Sequence, residues 1–182
     1  MEYTAEKVKS ISALSTAFTD ADTMINVYYM ESVVSSFIRE VTYKDVTSKH
    51  FIGWFFSLRD WVGTDPKKFP FDMLVHDDEK SVYGYFNGDD LDGIIRVDVE
   101  GSHCELSFFS VNKSLHNRGI GQLLFRHTLS RFKNMKMKLS VYTNKHSAIH
   151  IYRKYGFKIA GSGYDKGFNP GLLHFVMARE VQ

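Results

Sequence analysis

The chain has 182 residues, of which 43% are hydrophobic, 15% aromatic and 24% charged, a balance that predicts one globular domain over residues 1–182. The formal net charge of +2 comes from scattered basic residues, which argues against a nucleic-acid partner. No apolar run approaches the roughly 20 residues that span a bilayer, and the first residues lack a secretion segment, so we expect no membrane partner. The single cysteine, Cys104, excludes an internal disulfide and fits a reducing, cytoplasmic location.

Three stretches in the first third of the chain place apolar residues three or four positions apart, which predicts amphipathic helices. They are residues 11–18, residues 24–41 and residues 51–62. Thr47 or Ser48 is the expected cap at the start of the third helix, and Gly63 followed by Pro66 is its expected stop. We interpret the aromatic stripe of residues 51–61 as part of the core.

From residue 71 onward, short apolar segments alternate with turn-forming residues, which predicts strands in an antiparallel meander. The predicted strands are residues 71–75, 82–86, 93–99 and 105–111. The acidic residues Asp89, Asp90 and Asp92 stand between the second and third of these strands. We interpret them as a solvated turn.

The second half of the chain alternates helices with strands. After a loop over residues 112–118, the pattern predicts a helix at 119–132, a strand at 137–142, a helix at 146–155, and strands at 157–160 and 172–178. Gly156 is the expected end of the second helix. This order of elements predicts a mixed α/β fold.

The segment between the fourth strand and the next helix has the features of an anion-binding turn. Arg118, Gly119 and Gly121 stand where the helix begins, and the glycines allow a sharp turn close to a ligand. The first helical N–H groups are unpaired and carry the positive end of the helix dipole, so they suit a pyrophosphate. The segment matches neither a nucleotide P-loop nor a dinucleotide fingerprint. Taken alone, it is equally well interpreted as an ordinary loop.

Residues 139–157, with the sequence LSVYTNKHSAIHIYRKYGF, carry the most specific pattern in the chain. A strand is followed by Asn144 and Ala148, by a helix that bears Tyr152, and by a closing Gly-Phe pair at 156–157. This segment resembles the signature of the GNAT superfamily of N-acetyltransferases.

The upstream segment is similar to the acetyl-CoA motif of that family, in which an apolar strand end leads to Arg/Gln-x-x-Gly-x-Gly/Ala. Val111, Gly119 and Gly121 match this motif, whereas His116 stands where Arg or Gln is usual. The resemblance covers residues 93–178. It implies the GNAT fold, a mixed and mostly antiparallel sheet flanked by helices, whose central strands splay apart and hold acetyl-CoA.

The resemblance implies acetyl-CoA as the cosubstrate and assigns residues to it. The strand at 109–111 would bind the pantetheine arm through its backbone, the turn at 116–121 would cradle the pyrophosphate, and Asn144 would contact the cosubstrate from the far side. The expected binding residues are Phe109, Ser110, Val111, His116, Asn117, Arg118, Gly119, Ile120, Gly121, Gln122, Asn144 and Tyr152.

Two residues are candidates for acid–base chemistry. Tyr152 resembles the family tyrosine that protonates the departing thiolate, although it is also placed as the apolar-face residue of a short helix. Glu105 is the candidate base, since histone-acetylating members place a glutamate six residues before the position of Val111. Strand parity predicts that Glu105 shares a face with Phe109 and Val111. An exposed strand charge, with a water chain as the base, is the alternative. The N–H of Val111 is the expected donor to the thioester carbonyl.

The acceptor stays open at this point. A small-molecule amine is favoured because the chain has no obvious docking extension. The alternatives are transfer of a longer acyl group, transfer to protein, peptide or aminoacyl-tRNA amines, and a non-catalytic CoA-binding regulatory module. The sequence does not reveal the oligomeric state, and since family members often dimerise, a homodimer stays open. His146 and His150 have metal-like spacing, but no third ligand is evident and no metal is expected.

Overall fold

The computed structural model describes residues 37–58, 65–75, 80–166 and 169–181. Within these ranges, strands form one seven-stranded sheet with the order β1-β2-β3-β4-β5-β7-β6. The strands are β1 (Ile38–Glu40), β2 (Lys80–Asn87), β3 (Asp90–Glu100), β4 (His103–Val111), β5 (Lys136–Tyr142), β6 (Lys158–Tyr164) and β7 (Leu173–Arg179). Neighbouring strands are antiparallel except β4 and β5, which are parallel.

Helices cover both faces of this sheet. They are α1 (Tyr43–Val46), α2 (Lys49–Phe55), α3 (Asp72–Val75), α4 (Ile120–Arg131) and α5 (His146–Lys154), with 3-10 turns at Pro66–Lys68 and Lys113–Leu115. The predicted mixed α/β fold is therefore confirmed. Among the described residues, no helix is long and apolar enough to cross a membrane.

Each face of the sheet has its own hydrophobic cluster. Leu106, Leu124 and Phe125 belong to the cluster beneath α4 and α5. Phe51 and Ile94 belong to the cluster beneath α2 and α3, which confirms that the aromatic stripe of α2 is core. The two faces are thus closed by different elements, and a residue's face can be read from the cluster it joins.

Several local predictions agree with the structure. The β2–β3–β4 meander forms, and the strand and helix predicted after residue 119 lie within a few residues of β5 and α4. Ser48 is the N-cap of α2, since its side chain accepts a hydrogen bond from the N–H of Phe51. Gly156 follows α5 with a positive φ of 87°, the backbone conformation that ends many helices.

Three predictions of secondary structure are wrong. Residues 38–40 form an edge strand instead of the end of a helix, because the free edge of β2 pairs with their backbone. Residues 71–75 are not a strand, because Leu74 and its neighbours turn as α3 and bury Leu74 completely. Helix α2 ends at Phe55, well before Gly63. The predicted helix at 11–18, the part of the predicted 24–41 helix before residue 37, and residues 59–64 lie outside the described residues.

Candidate active site

Strands β4 and β5 are paired over only part of their length. Their parallel ladder joins residues 103–106 to residues 136–139, and the last pair is Leu106 with Leu139. Beyond that pair β4 continues to Val111 and β5 continues to Tyr142, each paired with its other neighbour but not with the other strand. We call the gap between residues 107–111 and residues 140–142 the notch. It leaves the backbone of β4 without a strand partner on that edge.

A β-bulge interrupts β4 beside the notch. Ser107 is opposite Arg96 and Ser110 is opposite Ile94, so three steps along β4 match two steps along β3. Phe108, within the bulge, has a φ of 49°. This left-handed conformation is a genuine outlier for a bulky residue, and such strain concentrates at functional sites.

The bulge reverses the faces that β4 presents. Phe109 stacks on Phe125 of α4, with ring centroids 5.5 Å apart, so it lies on the α4 face. Glu105 instead forms an ion pair with Lys138 and lies on the opposite face, since its neighbour Leu106 joins the cluster under α4. The prediction that Glu105 shares a face with Phe109 and Val111 is therefore wrong. Strand parity failed because one extra residue was inserted between them.

The edge of β4 that borders the notch offers backbone hydrogen-bonding groups. The N–H of Asn112 donates to the carbonyl of Asp92 on β3, at 2.8 Å. Because successive N–H groups of a strand point to opposite edges, the N–H of Val111 is directed into the notch. The carbonyl of Val111 lies 2.9 Å from Nε2 of His116, which can donate to it as the Nε2–H tautomer. Extended amide ligands bind to strand edges of this kind.

The start of α4 lies directly after this edge. Gly119 is the N-cap, with a φ of 83°, and it supplies no side chain to the free N–H groups of the first turn. The first turn contains no acidic residue. Asn117 also has a positive φ, of 62°, so the backbone from 117 to 120 folds into a concave turn. Unpaired N–H groups and the helix dipole make this turn a site for an anionic group.

A cavity of about 820 Å³ is centred on the notch. From the α2 face it is lined by Leu58, Glu105, Ser107 and Phe108, and from the α4 face by Phe109, Phe125 and Tyr152. Its remaining wall includes Ser110, Val111, His116, Ser140, Tyr142, Asn144, Asp165, Asn169 and His174. The cavity therefore passes through the sheet where β4 and β5 separate.

Tyr152 of α5 is 7% exposed and is surrounded by aromatic rings. Its ring centroid lies 5.3 Å from that of Phe125, 6.3 Å from Phe109 and 6.2 Å from Phe157. Burial raises the pKa of Tyr152 well above its usual value, because an apolar environment disfavours the phenolate. The side chain is thus both a core residue and a neutral hydroxyl at the cavity.

Glu105 is half exposed and is fixed by its neighbour on β5. Its carboxylate lies 3.1 Å from the ammonium group of Lys138, with side-chain exposures of 42% and 51%. Glu105 raises the pKa of Lys138, first through the hydrogen bond between the two side chains and then through the negative charge of its carboxylate. An ion pair this exposed contributes little to stability, so it orients the carboxylate more than it stabilises the fold.

The other predicted residues divide into three groups. His116 and Asn144 line the cavity, together with the 109–111 strand edge. The turn residues at 117–121 are outside the lining but lie at its border, around the start of α4. Gln122 accepts a hydrogen bond from Lys154 at 3.3 Å, which links α4 to α5. Sequence reasoning thus selected residues that are close together in space.

The sequence analysis did not predict the part of the cavity wall that is formed by the end of β5, by the segment between β6 and β7, and by the start of β7. The hydroxyl of Tyr142 donates to Asp165 at 2.5 Å and accepts from the side chain of Asn169 at 2.9 Å. His174 lies over Gly163, where an added Cβ would be 3.4 Å from the ring. These partners are 23 and 27 residues apart along the chain, so no local spacing could reveal them.

The interpretation of Asp92 as part of a solvated turn is also wrong. Asp92 is 4% exposed, and its carboxylate contacts His50 and Asn112. The turn is shorter than the acidic run suggested, because β3 begins at Asp90 and Asp92 already belongs to the sheet.

Residues 35–157 match the acetyltransferase (GNAT) family. This match covers most of the chain, and the chain belongs to the GNAT acetyltransferase family. The resemblance noted in the sequence is thereby confirmed.

Solved structures share the fold at low sequence identity. The ribosomal-protein-S18-alanine N-acetyltransferase from Escherichia coli is 12% identical, with a TM-score of 0.61 over 80% of this chain and 93% of its own. A spermidine N-acetyltransferase chimera from Vibrio cholerae and hSSAT is 16% identical, with a TM-score of 0.62 over 78% and 93%. A putative streptothricin acetyltransferase from Bacillus anthracis, solved with acetyl coenzyme A, is 19% identical, with a TM-score of 0.53 over 63% and 70%.

These likenesses concern the fold alone, and the proteins are named for different acceptors. No curated protein is a significant sequence match to the chain. The acceptor must therefore be inferred from this chain's own cavity.

A matched pair of substitutions tests the turn before α4. Gly119→Ala should lower the free energy of unfolding by about 1–2 kcal/mol, because its left-handed φ disfavours an L side chain. Gly121→Ala should be neutral or raise it by up to about 1 kcal/mol, since its Cβ would meet the Phe109 ring at an ordinary 3.5 Å. Urea denaturation of the ligand-free protein measures both changes. Equal losses in the two variants would contradict the assigned backbone geometry.

Proposed function

We propose that the protein is an N-acetyltransferase that moves the acetyl group of acetyl-CoA to the primary amine of a small-molecule acceptor. One observation carries the proposal: an unpaired strand edge lies beside an uncapped helix N-terminus, at a cavity that passes through the sheet. A strand edge suits the amides of a pantetheine arm, and a helix N-terminus suits a pyrophosphate. CoA joins these two groups in one molecule.

The donor would be held mainly by backbone. The peptide groups of Phe109 and Val111 would bind the arm, and the N–H groups at 117–122 would bind the pyrophosphate. His116 replaces the usual Arg or Gln, but backbone donors do not depend on that side chain. Asn144 lines the cavity after β5 and would contact the donor from across the notch. The residues present therefore fit the cosubstrate.

Direct attack by the amine is favoured over a cysteine-bound acyl group. Cys104 is 1% exposed and does not line the cavity. Burial raises the pKa of its thiol to about 11, so little reactive thiolate forms at neutral pH. Acetyl-CoA supplies the thioester, the amine nitrogen bonds to the acetyl carbon, and the carbon–sulfur bond breaks. The N–H of Val111 would donate to the carbonyl oxygen.

Tyr152 would protonate the departing thiolate. Its hydroxyl has no hydrogen-bond partner among the residues that the structure describes, and it lines the cavity on the α4 face. The raised pKa keeps the phenol protonated, so it is available as a donor. Solvent would then restore its proton.

Glu105 would accept the amine proton, directly or through a water. The bulge sets it on the face opposite Phe109, so the base and the acid approach the notch from different sides. The carboxylate of Glu105 already contacts the ammonium group of Lys138, 3.1 Å away, so the incoming amine would share this carboxylate with Lys138. A cationic amine fits this wall, since Asp165 adds a second carboxylate to the lining.

The cytoplasm is the proposed location of the protein.

Thermal unfolding with and without acetyl-CoA is the primary test. At about a hundred times its dissociation constant, a ligand adds roughly 2.7 kcal/mol of stability, which is several degrees in the unfolding midpoint. We expect acetyl-CoA and CoA to raise the midpoint and NADH to leave it unchanged. No rise at millimolar acetyl-CoA would refute CoA binding, and the proposed function with it.

Removing one hydroxyl tests the acid. Tyr152→Phe keeps the ring packing and should lower kcat by roughly a hundredfold or more, with unchanged CoA affinity. Thiol release from acetyl-CoA, measured over a panel of diamines, aminoglycosides and alanine-terminated peptides, gives the rates. Tyr155→Phe is the matched control, because Tyr155 follows α5 directly, packs on Phe125 and does not line the cavity. Equal rates in both variants would leave Tyr152 as a core residue only.

A second substitution distinguishes the two candidate bases. Glu105→Gln should lower kcat/KM by about a hundred- to ten-thousand-fold if the carboxylate takes the proton, and the loss should diminish as pH rises and the free amine becomes abundant. Glu100→Gln, at the exposed end of β3, is the control. A change within about twofold in Glu105→Gln would assign the base to water instead.

A further inference from the structure

A buried carboxylate lies outside the cavity and has no part in the chemistry proposed above. Asp92 is 4% exposed, at the start of β3 on the face covered by α2. A buried charge is costly unless it is paired and hydrogen-bonded. Asp92 is not among the described residues that line the cavity. Its role must therefore be sought in the groups that it contacts.

Those contacts connect α2 to the end of β4. Oδ1 of Asp92 lies 2.8 Å from Nε2 of His50 on α2, and it accepts a hydrogen bond from the side chain of Asn112, also at 2.8 Å. The backbone adds a third contact, since the N–H of Asn112 donates to the carbonyl of Asp92 at 2.8 Å. One buried residue thus fixes both the main chain and the side chain of Asn112.

Asn112 in turn starts the segment that leads from β4 to the anion-binding turn. Its side-chain oxygen accepts hydrogen bonds from the N–H and the hydroxyl of Ser114, at 3.2 and 3.0 Å. Its carbonyl accepts from the N–H of Leu115, at 2.9 Å. The two ends of the Asn112 amide are therefore both engaged, with Asp92 on one side and the 3-10 turn at Lys113–Leu115 on the other. A flipped or free amide would lose both sets of bonds at once.

We propose that Asp92 is a positioning residue that holds the turn at residues 112–119 in its CoA-binding form through Asn112, with His50 as its second partner. The inference rests on the proposed function, because the last residues of this turn, 117–119, belong to the proposed pyrophosphate site. A carboxylate suits this role better than a neutral amide, because hydrogen bonds to an ionised carboxylate are roughly twice as strong as those between neutral groups. Asp92 itself does not touch the ligand.

The test combines one measurement without ligand and one with it. Asp92→Asn should speed hydrogen exchange at the amides of residues 114–116 in the ligand-free protein, by about tenfold or more, and leave the segment at residues 169–175 unchanged. It should also weaken CoA binding at 25 °C by about tenfold, measured by calorimetry well below the unfolding midpoint. A residue that served stability alone would lower the midpoint without changing the dissociation constant.

Asp90→Asn is the matched control. Asp90 is two residues away and lies 3.8 Å from Nδ1 of the same His50, but it is exposed and does not contact Asn112. It should retain wild-type exchange and CoA affinity. If Asp92→Asn does not fold, Asn112→Ala cuts the same connection at its other end and should give the same two changes. In the double variant the losses should not add, because both substitutions break one connection.

The outcomes separate this inference from the proposed function. Wild-type protein that fails to bind CoA refutes the proposed function, while faster exchange at 114–116 in Asp92→Asn would still support the positioning role. Wild-type protein that binds CoA, together with Asp92→Asn and Asn112→Ala variants that bind it equally well and exchange at the wild-type rate, would overturn the inference and leave the proposed function intact.

Discussion

The separation of β4 from β5 is the constraint on which the site depends. A backbone amide that loses its ladder partner must find another acceptor or donor, or it costs free energy. After the Leu106–Leu139 pair, the β4 edge has no strand neighbour, and the gap is wide enough to form a cavity. The helix start, the aromatic wall and the polar loops all lie around this gap. Each contributes to a site because the sheet is incomplete there.

The part of the molecule with the strongest local signals could be predicted from the sequence. Alternation and turn residues predicted β2, β3, β4 and β5, the glycine-rich turn predicted α4, and the Asn144–Phe157 segment predicted α5. These elements obey local rules, in which side-chain periodicity and backbone freedom decide the structure. The same local signals identified many of the residues that border the cavity.

The errors arise where a distant partner decides the structure. Ile38–Glu40 became a strand because β2 had a free edge. The bulge coincides with the Phe108–Phe109 doublet, where the apolar positions of β4 shift from even to odd numbers, and strand parity carried across this doublet placed Glu105 on the wrong face. Asp92 has the composition of a turn, but its carboxylate is buried by contacts with residues 42 positions before it and 20 positions after it. Such contacts become visible only when the sheet has been assembled.

The short ladder between β4 and β5 also has a mechanical consequence. Strands β1–β4 and β5–β7 form two units, and only four residue pairs join them, whereas the β2–β3 ladder has eight. Resistance to bending along this join is therefore low, and small changes in the angle between the two units widen or narrow the gap. A molecule that hydrogen-bonds to the β4 edge and also contacts the β5 side would connect the two units. The sheet with this molecule bound would therefore bend less easily than the sheet alone.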